Sequence, residues 1–378
     1  MTQQGDSLHD ERILVLDFGS QYTQLIARRV RESRVYCEIH PFNEGLAAVR
    51  EFAPAGIILS GGPESVLAPD APTIDPAIFE LGVPVLGICY GMQLMTHLLG
   101  GHVEEAAQRE YGRAGLSVDE PQGLFQGFAS GETTEVWMSH GDRLKALPTG
   151  FQALAHTDNS PFAAIGNPDR HLYALQFHPE VVHSARGAEL LEQFVRGVCR
   201  CHGHWTMGSF IESESARIQE RVGEGRVISA LSGGVDSAVA SVLVHRAVGD
   251  QLTCIFVDNG LLRKGEAERV QRVFREWYEI PLHFVDASER FLARLEGVSD
   301  PEEKRKIIGN TFIEVFEEES KKLGGADYLV QGTLYPDVVE SVSPKGGPSA
   351  TIKSHHNVGG LPERMDLSLV EPLRELFK

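Results

Sequence analysis

The sequence predicts an α/β protein of two domains, each with a mainly parallel β-sheet flanked by helices. Short apolar runs alternate with amphipathic stretches along the chain, the pattern of repeated βαβ units. Its 378 residues exceed the roughly 100–200 of a single typical domain. Two strand–loop–helix series are separated by the segment CHGHWTMGSF around Trp205, which reads as a boundary and divides the chain into residues 1–205 and 206–378.

In the first series, Ile13–Asp17 (ILVLD), Gly56–Leu59 and Val83–Cys89 (VPVLGIC) read as strands. Thr23–Arg31 and Gly91–Leu99 read as the helices that go with them, with apolar residues at helical spacing. From Tyr111 to Phe177 the pattern turns to shorter strands and turns, ending in LYALQFHPE, and Gly187–Cys199 reads as a closing helix. The second series runs RVISAL (strand), SGGVDS (loop), AVASVLVHRAV (helix), TCIFVDNG (strand), GEAERVQRVFREWY (helix) and LHFVDAS (strand). The long helix EEKRKIIGNTFIEVFEEESKKL and the strand YLVQGT follow. Leu334 onward is rich in Gly, Pro and Ser as far as LVEPLRELFK, where the sequence stops without a helix cap, so a fragment is expected.

Composition narrows the function classes. Lys and Arg number 35 against 53 Asp and Glu, a net charge of −18 that repels a phosphate backbone; with no basic block, nucleic acid is not an expected partner. No apolar run approaches the roughly 18 residues of a membrane helix, and the polar start MTQQGDSLHDER lacks a signal peptide's apolar stretch. Five scattered cysteines make no disulfide framework, so a reducing cytoplasm fits best.

Two loops carry chemistry. Gly87-Ile88-Cys89-Tyr90-Gly91 joins a buried strand to a helix, the thiol counterpart of the G-x-S-x-G nucleophile elbow. Its glycines permit the sharp turn, and the helix N-terminus behind Cys89 favours a thiolate. His178 ends the strand LYALQF with Glu180 two positions on, which gives Cys89 a base and the base an orienting carboxylate. Ser60-Gly61-Gly62-Pro63 and the N–H of Tyr90 are candidate oxyanion donors. In the second series, Ser232-Gly233-Gly234-Val235-Asp236-Ser237 lies between strand and helix, where backbone N–H groups and a helix N-terminus cradle an anion. No Lys follows the glycines, so it is not a Walker A loop; it resembles the pyrophosphatase loop that cuts ATP between its α- and β-phosphates. Asp236 is then a candidate magnesium ligand, and Val257, on the next strand, a candidate backbone reader of adenine. Asp258 reads equally as a site residue and as a strand-end turn residue. Cys199, Cys201, His202 and His204 suggest zinc, but they are crowded more closely than structural zinc spacings allow.

GICYGMQ, FHPE, LSGGP and MSHGD together resemble class I glutamine amidotransferases over the first domain. The resemblance implies hydrolysis of glutamine to glutamate and ammonia through a thioester on Cys89. His178 would then serve as base and acid, Glu180 as its orienter, and Gly61 and Tyr90 as the oxyanion hole. Gln93, Ser139, His140 and Asp142 would hold the backbone ends of glutamine, with Asp142 suited to the ammonium. Across nearly the whole chain, DFGSQYTQLIARRVRE, GVSDPEEKRKIIGNTFIEVFEEES, QGTLYPDVVES and IKSHHNVGGLP resemble the GMP synthase family. That resemblance implies amidation of XMP, activated by ATP as an adenylyl intermediate, to give GMP, AMP, pyrophosphate and glutamate. Ammonia would travel unprotonated by a sheltered route.

By the same resemblance Gln331, Gly332, Thr333 and Asp337 border the ATP/XMP site, and Lys353, Ser354, His355, His356 and Asn357 belong to a lid, although a bare His-His pair by itself reads by default as solvated loop. Members of that family continue into a C-terminal region that dimerises the protein and completes the XMP pocket. A homodimer is therefore expected of a full-length member, and poor GMP synthesis of this chain alone. Two rival readings remain open: a glutamine-fed synthetase with another acceptor, such as an NAD synthetase-like ligase, and a non-catalytic ligand sensor. A sensor would need neither a nucleophile nor a base.

Overall fold

The structure, a computed structural model, describes residues 8–340 and 367–378. The chain divides into two compact units between Ser209 and Phe210.

The first unit runs β1 (Arg12–Asp17), α1 (Thr23–Glu32), β2 (Tyr36–Pro41), α2 (Leu46–Phe52), β3 (Gly56–Leu59), β4 (Val85–Ile88) and α3 (Tyr90–Leu98). It continues with β5 (His102–Val118), β6 (Thr133–Ala146), β7 (Gln152–His156), β8 (Ala164–Asn167), β9 (Leu172–Leu175) and α4 (Gly187–Glu192), which passes into π-helix over Gln193–Val198. One nine-stranded sheet has the order β2-β1-β3-β4-β9-β8-β7-β5-β6. The first five strands are parallel and the rest antiparallel, so this sheet is mixed. Ile13, Leu14, Val15 and Leu16 are all buried, which is why β1 reads as an unbroken apolar run: both faces of its sheet are covered.

The region from Tyr111 to Phe177 differs from the short strands expected. It contains part of β5 and all of β6, at 17 and 14 residues the longest strands described. Along β6 the buried positions alternate (Val136, Met138, His140), a half-solvated pattern whose polar residues hide its length in the sequence. Glu105 pairs with Asp142 and Glu110 with His140, so five steps along β5 answer two along β6, and the intervening residues bulge out of the ladder.

The second unit contains α5 (Met207–Val222), β10 (Val227–Leu231), α6 (Val235–Val248), β11 (Leu252–Asp258), α7 (Glu266–Arg272, then π-helix to Trp277) and β12 (Leu282–Asp286). It ends with α8 (Ser288–Leu295), α9 (Pro301–Lys322), β13 (Tyr328–Val330), α10 (Tyr335–Glu340) and β14 (Ser368–Val370). Its sheet, β12-β11-β10-β13-β14, is parallel throughout. Helix α9 shows local and tertiary signals agreeing. Asp300 accepts from the Glu303 N–H as N-cap, Pro301 opens the helix, acidic residues occupy its first turn and lysines its last. Its inner face buries Ile313, Val315 and Phe316 among Ile228, Ile255 and Phe291.

Phe316 is fully buried in that cluster. Phe316→Ala is expected to lower unfolding stability by about 3–5 kcal/mol, read as a fall in denaturant midpoint.

Candidate active site

In the first sheet β3, β4 and β9 are neighbours and run parallel, so the segments leaving their carboxyl ends meet on one edge. These segments are Ser60-Gly61-Gly62, Cys89 with α3, and Gln176 to Glu180. Cys89 is the N-cap of α3 with φ 51° and ψ −105°, a strained conformation for a non-glycine residue. The strain therefore sits on the cysteine itself, not on the flanking glycines, whose part is close approach. A β-carbon at Gly87 would lie 2.6 Å from the Gly91 carbonyl oxygen, and one at Gly91 would lie 2.4 Å from the Leu59 carbonyl oxygen.

His178 lies three residues past the end of β9, on the segment after the strand. Its N–H bonds the Trp137 carbonyl at 3.0 Å, while its own carbonyl accepts from Ser184 Oγ at 2.6 Å. Glu180 Oε1 is 2.7 Å from His178 Nδ1, and both side chains are buried. Burial alone would lower the imidazole's pKa. The hydrogen bond to the Cys89 sulfur, and the bond and charge of Glu180, outweigh it and push the ring up to about 10. Burial pushes the thiols of Cys37, Cys199, Cys201 and Cys254 up, which keeps them protonated and inert. Gly61 closes the group: a β-carbon there would lie 3.1 Å from His178 Cε1 and 3.7 Å from Cys89 Cβ. The Tyr90 N–H opens α3, where no carbonyl of the helix can accept it.

Beside Cys89 is a cavity of about 670 Å³ whose wall includes Tyr90, Gln93, Ser139, His140 and Asp142. Gln93 Nε2 donates to the Asp142 carbonyl at 3.1 Å, and Asp142 Oδ2 accepts from Ser65 Oγ at 2.5 Å. The His140 ring is engaged on both nitrogens, by the Asp142 carbonyl at 2.9 Å and by Glu110 Oε2 at 3.2 Å. Burial would raise the Glu110 carboxyl, yet bonds from His140, Ser160 and Thr157 hold it below the usual range. His140 thus braces the strip that carries Ser139 and Asp142. Sequence reasoning missed Glu110, Ser65 and Arg109, which also lie in or behind this wall; their only sequence signal is closeness to the quoted motifs.

In the second unit the loop Ser232–Ser237 follows β10. Ser232 Oγ and Ser237 Oγ are 3.0 Å apart, the Gly234 N–H donates to Ser232 Oγ at 3.3 Å, and Gly233 has φ +76°. Gly234 is the N-cap of α6, and Val235 is its exposed first residue. Asp236 Oδ2 pairs with the Lys378 ammonium at 2.9 Å. Gly332 leaves β13 against this loop, 3.2 Å from the Asp236 carbonyl carbon if a β-carbon is added. Gln331 Nε2 donates to Thr333 Oγ1, Thr333 Oγ1 donates to Glu371 Oε1, and Asp337 accepts from the Leu334 N–H. The side chain of Val257 is buried, near the end of β11. Lys353, Ser354, His355, His356 and Asn357 lie outside the described residues. Of the zinc candidates, His202 and His204 approach Glu11, with His202 Nδ1 at 2.5 Å from Glu11 Oε1, while Cys201 is buried and Cys199 packs toward Gly56.

The family model for glutamine amidotransferase class-I matches residues 14–198. Over 370 residues the chain is 60% identical to the glutamine-hydrolysing GMP synthase of Nitratiruptor sp., covering 97% of this chain and 71% of that one. It is likewise 60% identical over 376 residues to that of Wolinella succinogenes, covering 98% and 72%. The chain belongs to the glutamine-hydrolysing GMP synthase family. The family match spans both units, so the Cys89 cavity and the Ser232–Ser237 loop are parts of one GMP synthase-type chain.

Two outcomes follow from the geometry. Gly91→Ala forces α3 away from Leu59 and is expected to cost about 2–4 kcal/mol or prevent soluble expression, measured by thermal unfolding beside Ala47→Gly as a surface control. The His178 pKa is raised from 6.5, so its contribution to stability is complete below pH 6.5 and is lost as pH rises toward about 10. NMR titration of the His178 ring should give a midpoint near 10, falling in both Cys89→Ala and Glu180→Gln.

Proposed function

We propose that the first unit hydrolyses glutamine to glutamate and ammonia, and that the second uses ATP to activate XMP for amidation by that ammonia, giving GMP, AMP and pyrophosphate. The observation that carries the reading is the backbone-strained Cys89, bonded to an imidazole that Glu180 holds at 2.7 Å.

With Glu180 and the Cys89 sulfur raising its pKa, the His178 ring enters the reaction as the acid. The Cys89 thiolate attacks the side-chain amide carbon of glutamine. The N–H groups of Gly61 and Tyr90 receive the negative oxygen, which is worth several kcal/mol per well-placed donor. His178 gives its proton to the departing nitrogen and ammonia leaves. Water then attacks the thioester, His178 takes a proton from it, and glutamate is released. Asp142 attracts the substrate ammonium, while Gln93, Ser139 and His140 hold the strip in place. Cys89 does not supply the nitrogen; it only frees it.

At the second site the Ser232–Ser237 loop wraps the ATP phosphates with N–H groups, hydroxyls and the start of α6. An XMP carbonyl oxygen attacks the α-phosphorus, pyrophosphate leaves, and ammonia displaces AMP. Val257 borders the adenine, and Gln331, Gly332, Thr333 and Asp337 line the side toward XMP. Asp236 is a hard oxygen donor beside the loop, suited to magnesium held by one carboxylate and the phosphates; the Lys378 ammonium on its Oδ2 would have to give way. Magnesium held by Asp236 would supply positive charge against the pyrophosphate. Five free cysteines and a substrate set of small soluble molecules accord with work in the cytosol. Among the described residues no helix is long and apolar enough to cross a membrane.

Cys89→Ala should lower glutamate production from glutamine at least about a thousand-fold; retention of the activity would remove the proposed chemistry. Asp236→Asn should weaken magnesium-dependent ATP binding about 10-fold or more by calorimetry and leave glutamine hydrolysis intact. Equal losses at both sites would argue against separate roles.

A further inference from the structure

Three side chains that neither proposed reaction uses meet on the surface of the first unit. Glu11, just before β1, lies beside His202 and His204, which follow the π-helical end of α4. One ligand atom from each residue falls within 4.8 Å of the other two. The two imidazole rings are stacked, with centroids 5.9 Å apart and planes 27° from parallel. Both histidines are exposed, and His202 Nδ1 is 2.5 Å from Glu11 Oε1. The His204 ring has no hydrogen-bond partner among the described residues.

The backbone beneath them is braced. Glu11 Oε2 accepts from the N–H groups of His202 and Gly203 at 2.7 and 3.0 Å, which pins the carboxylate to the turn and leaves Oε1 to the rings. Arg196 donates to the carbonyls of His202 and Ser33 at 3.1 and 2.9 Å. Arg200 and Gly203 take φ of 58° and 79°, the tight turns that let the segment fold back under these bonds. Buried Cys201 and Trp205 anchor its two ends, their N–H groups each 3.1 Å from the carbonyls of Val195 and Arg34. Ligands carried on a braced backbone lose little entropy when they close on an ion.

We propose that Glu11, His202 and His204 bind a divalent transition-metal ion of the zinc type, and that the ion clasps this turn to the start of β1. Two imidazoles and one carboxylate are a ligand set of open zinc sites, in which water completes the tetrahedron. Magnesium and calcium favour oxygen ligands, so the imidazole pair selects against them. Ligand atoms about 2.0–2.1 Å from zinc stand roughly 3.3 Å apart, so Oε1 and Nδ1 separate by a little under about 1 Å to admit the ion. His202, with 76% of its side chain exposed, has room to make that movement. Cys199 and Cys201 take no part: the first packs toward Gly56 and the second is buried.

The test is calorimetric zinc titration of the full chain without a histidine tag, with magnesium in excess to fill sites made of carboxylates alone. Cys89→Ala is the background throughout, because the thiolate and imidazole of the first site would themselves take zinc. One zinc ion per chain should bind in roughly the micromolar range, and His204→Ala and Glu11→Gln should each weaken it about 10-fold or more. His97→Ala, an exposed histidine elsewhere on the first unit, should change nothing. Glu11 also braces the turn, so His204→Ala, whose ring supports no hydrogen bond, is the deciding variant. Saturating zinc should raise the thermal unfolding midpoint by about 5 °C in the background chain and not in His204→Ala. Absence of saturable binding overturns the proposal, and so does binding or a thermal rise that His204→Ala leaves unchanged, which would place the ion elsewhere. Binding unaffected by Glu11→Gln would likewise overturn the three-ligand assignment.

Discussion

Helix α3 approaches strand β3 so closely at Gly91 that any side chain there would enter the Leu59 carbonyl. The first site depends on that contact. It sets where the helix begins, and so forces Cys89 into a positive φ at the junction of strand and helix. A cysteine in ordinary extended or helical backbone would point into the sheet or along the helix. Here it is lifted over the sheet edge, toward the histidine that arrives from β9 and the glycines that arrive from β3. The strain of one residue, of order 1–3 kcal/mol, is held by packing on both of its sides. Ile88 and Tyr90 are buried, and the Cys89 N–H bonds the Leu175 carbonyl at 2.7 Å.

Electrostatics at this edge are arranged by burial as much as by charge. His178 and Glu180 sit where water is excluded, so a bond of 2.7 Å between them and the nearby sulfur can hold the ring protonated far above its usual range. A second buried network lies behind the first. Glu110 collects bonds from His140, Thr157 and Ser160, and His140 reaches on to the Asp142 carbonyl. Removing Glu110 would leave His140, Thr157 and Ser160 with buried polar groups short of a partner, which is costlier than one bond is worth. Such a network ties the β6 strip beside the cavity to the strand and loop behind it.

The second unit uses the same architectural rule with different chemistry. Its five parallel strands bring the loop after β10, the end of β11 and the segment after β13 to one edge. No strained nucleophile is needed there. On the proposed reading a phosphate would meet many weak donors pointing at a common place; the serine pair and Gly233 give the loop its curl. One edge presents a single reactive atom, the other a cradle.

Much of this was legible in the sequence because its signals are local. Apolar runs such as Ile13–Leu16 name buried strands, Asp300-Pro301 names a helix start, and glycine-bounded loops at strand ends name reactive turns. Cys89, His178 and the Ser232–Ser237 loop stand out as candidates by spacing and residue type, since each is marked by a few neighbouring residues. Strands β2 and β14 and helices α2, α5, α8 and α10 carry no such local signal. They are short or carry mixed polar faces, and tertiary packing stabilises them more than local preference does. The length of β5 and β6 was hidden for the same reason. The sequence alone determined the fold class and the family, and it marked the Cys89 elbow and the Ser232–Ser237 loop as candidates. Only the tertiary structure decided that the cysteine bears the strain, that His140 faces inward to Glu110, and that Arg109 overlooks the cavity. Those facts depend on backbone angles and strand register, which arise when distant segments pack together and leave no mark on nearest neighbours in the chain.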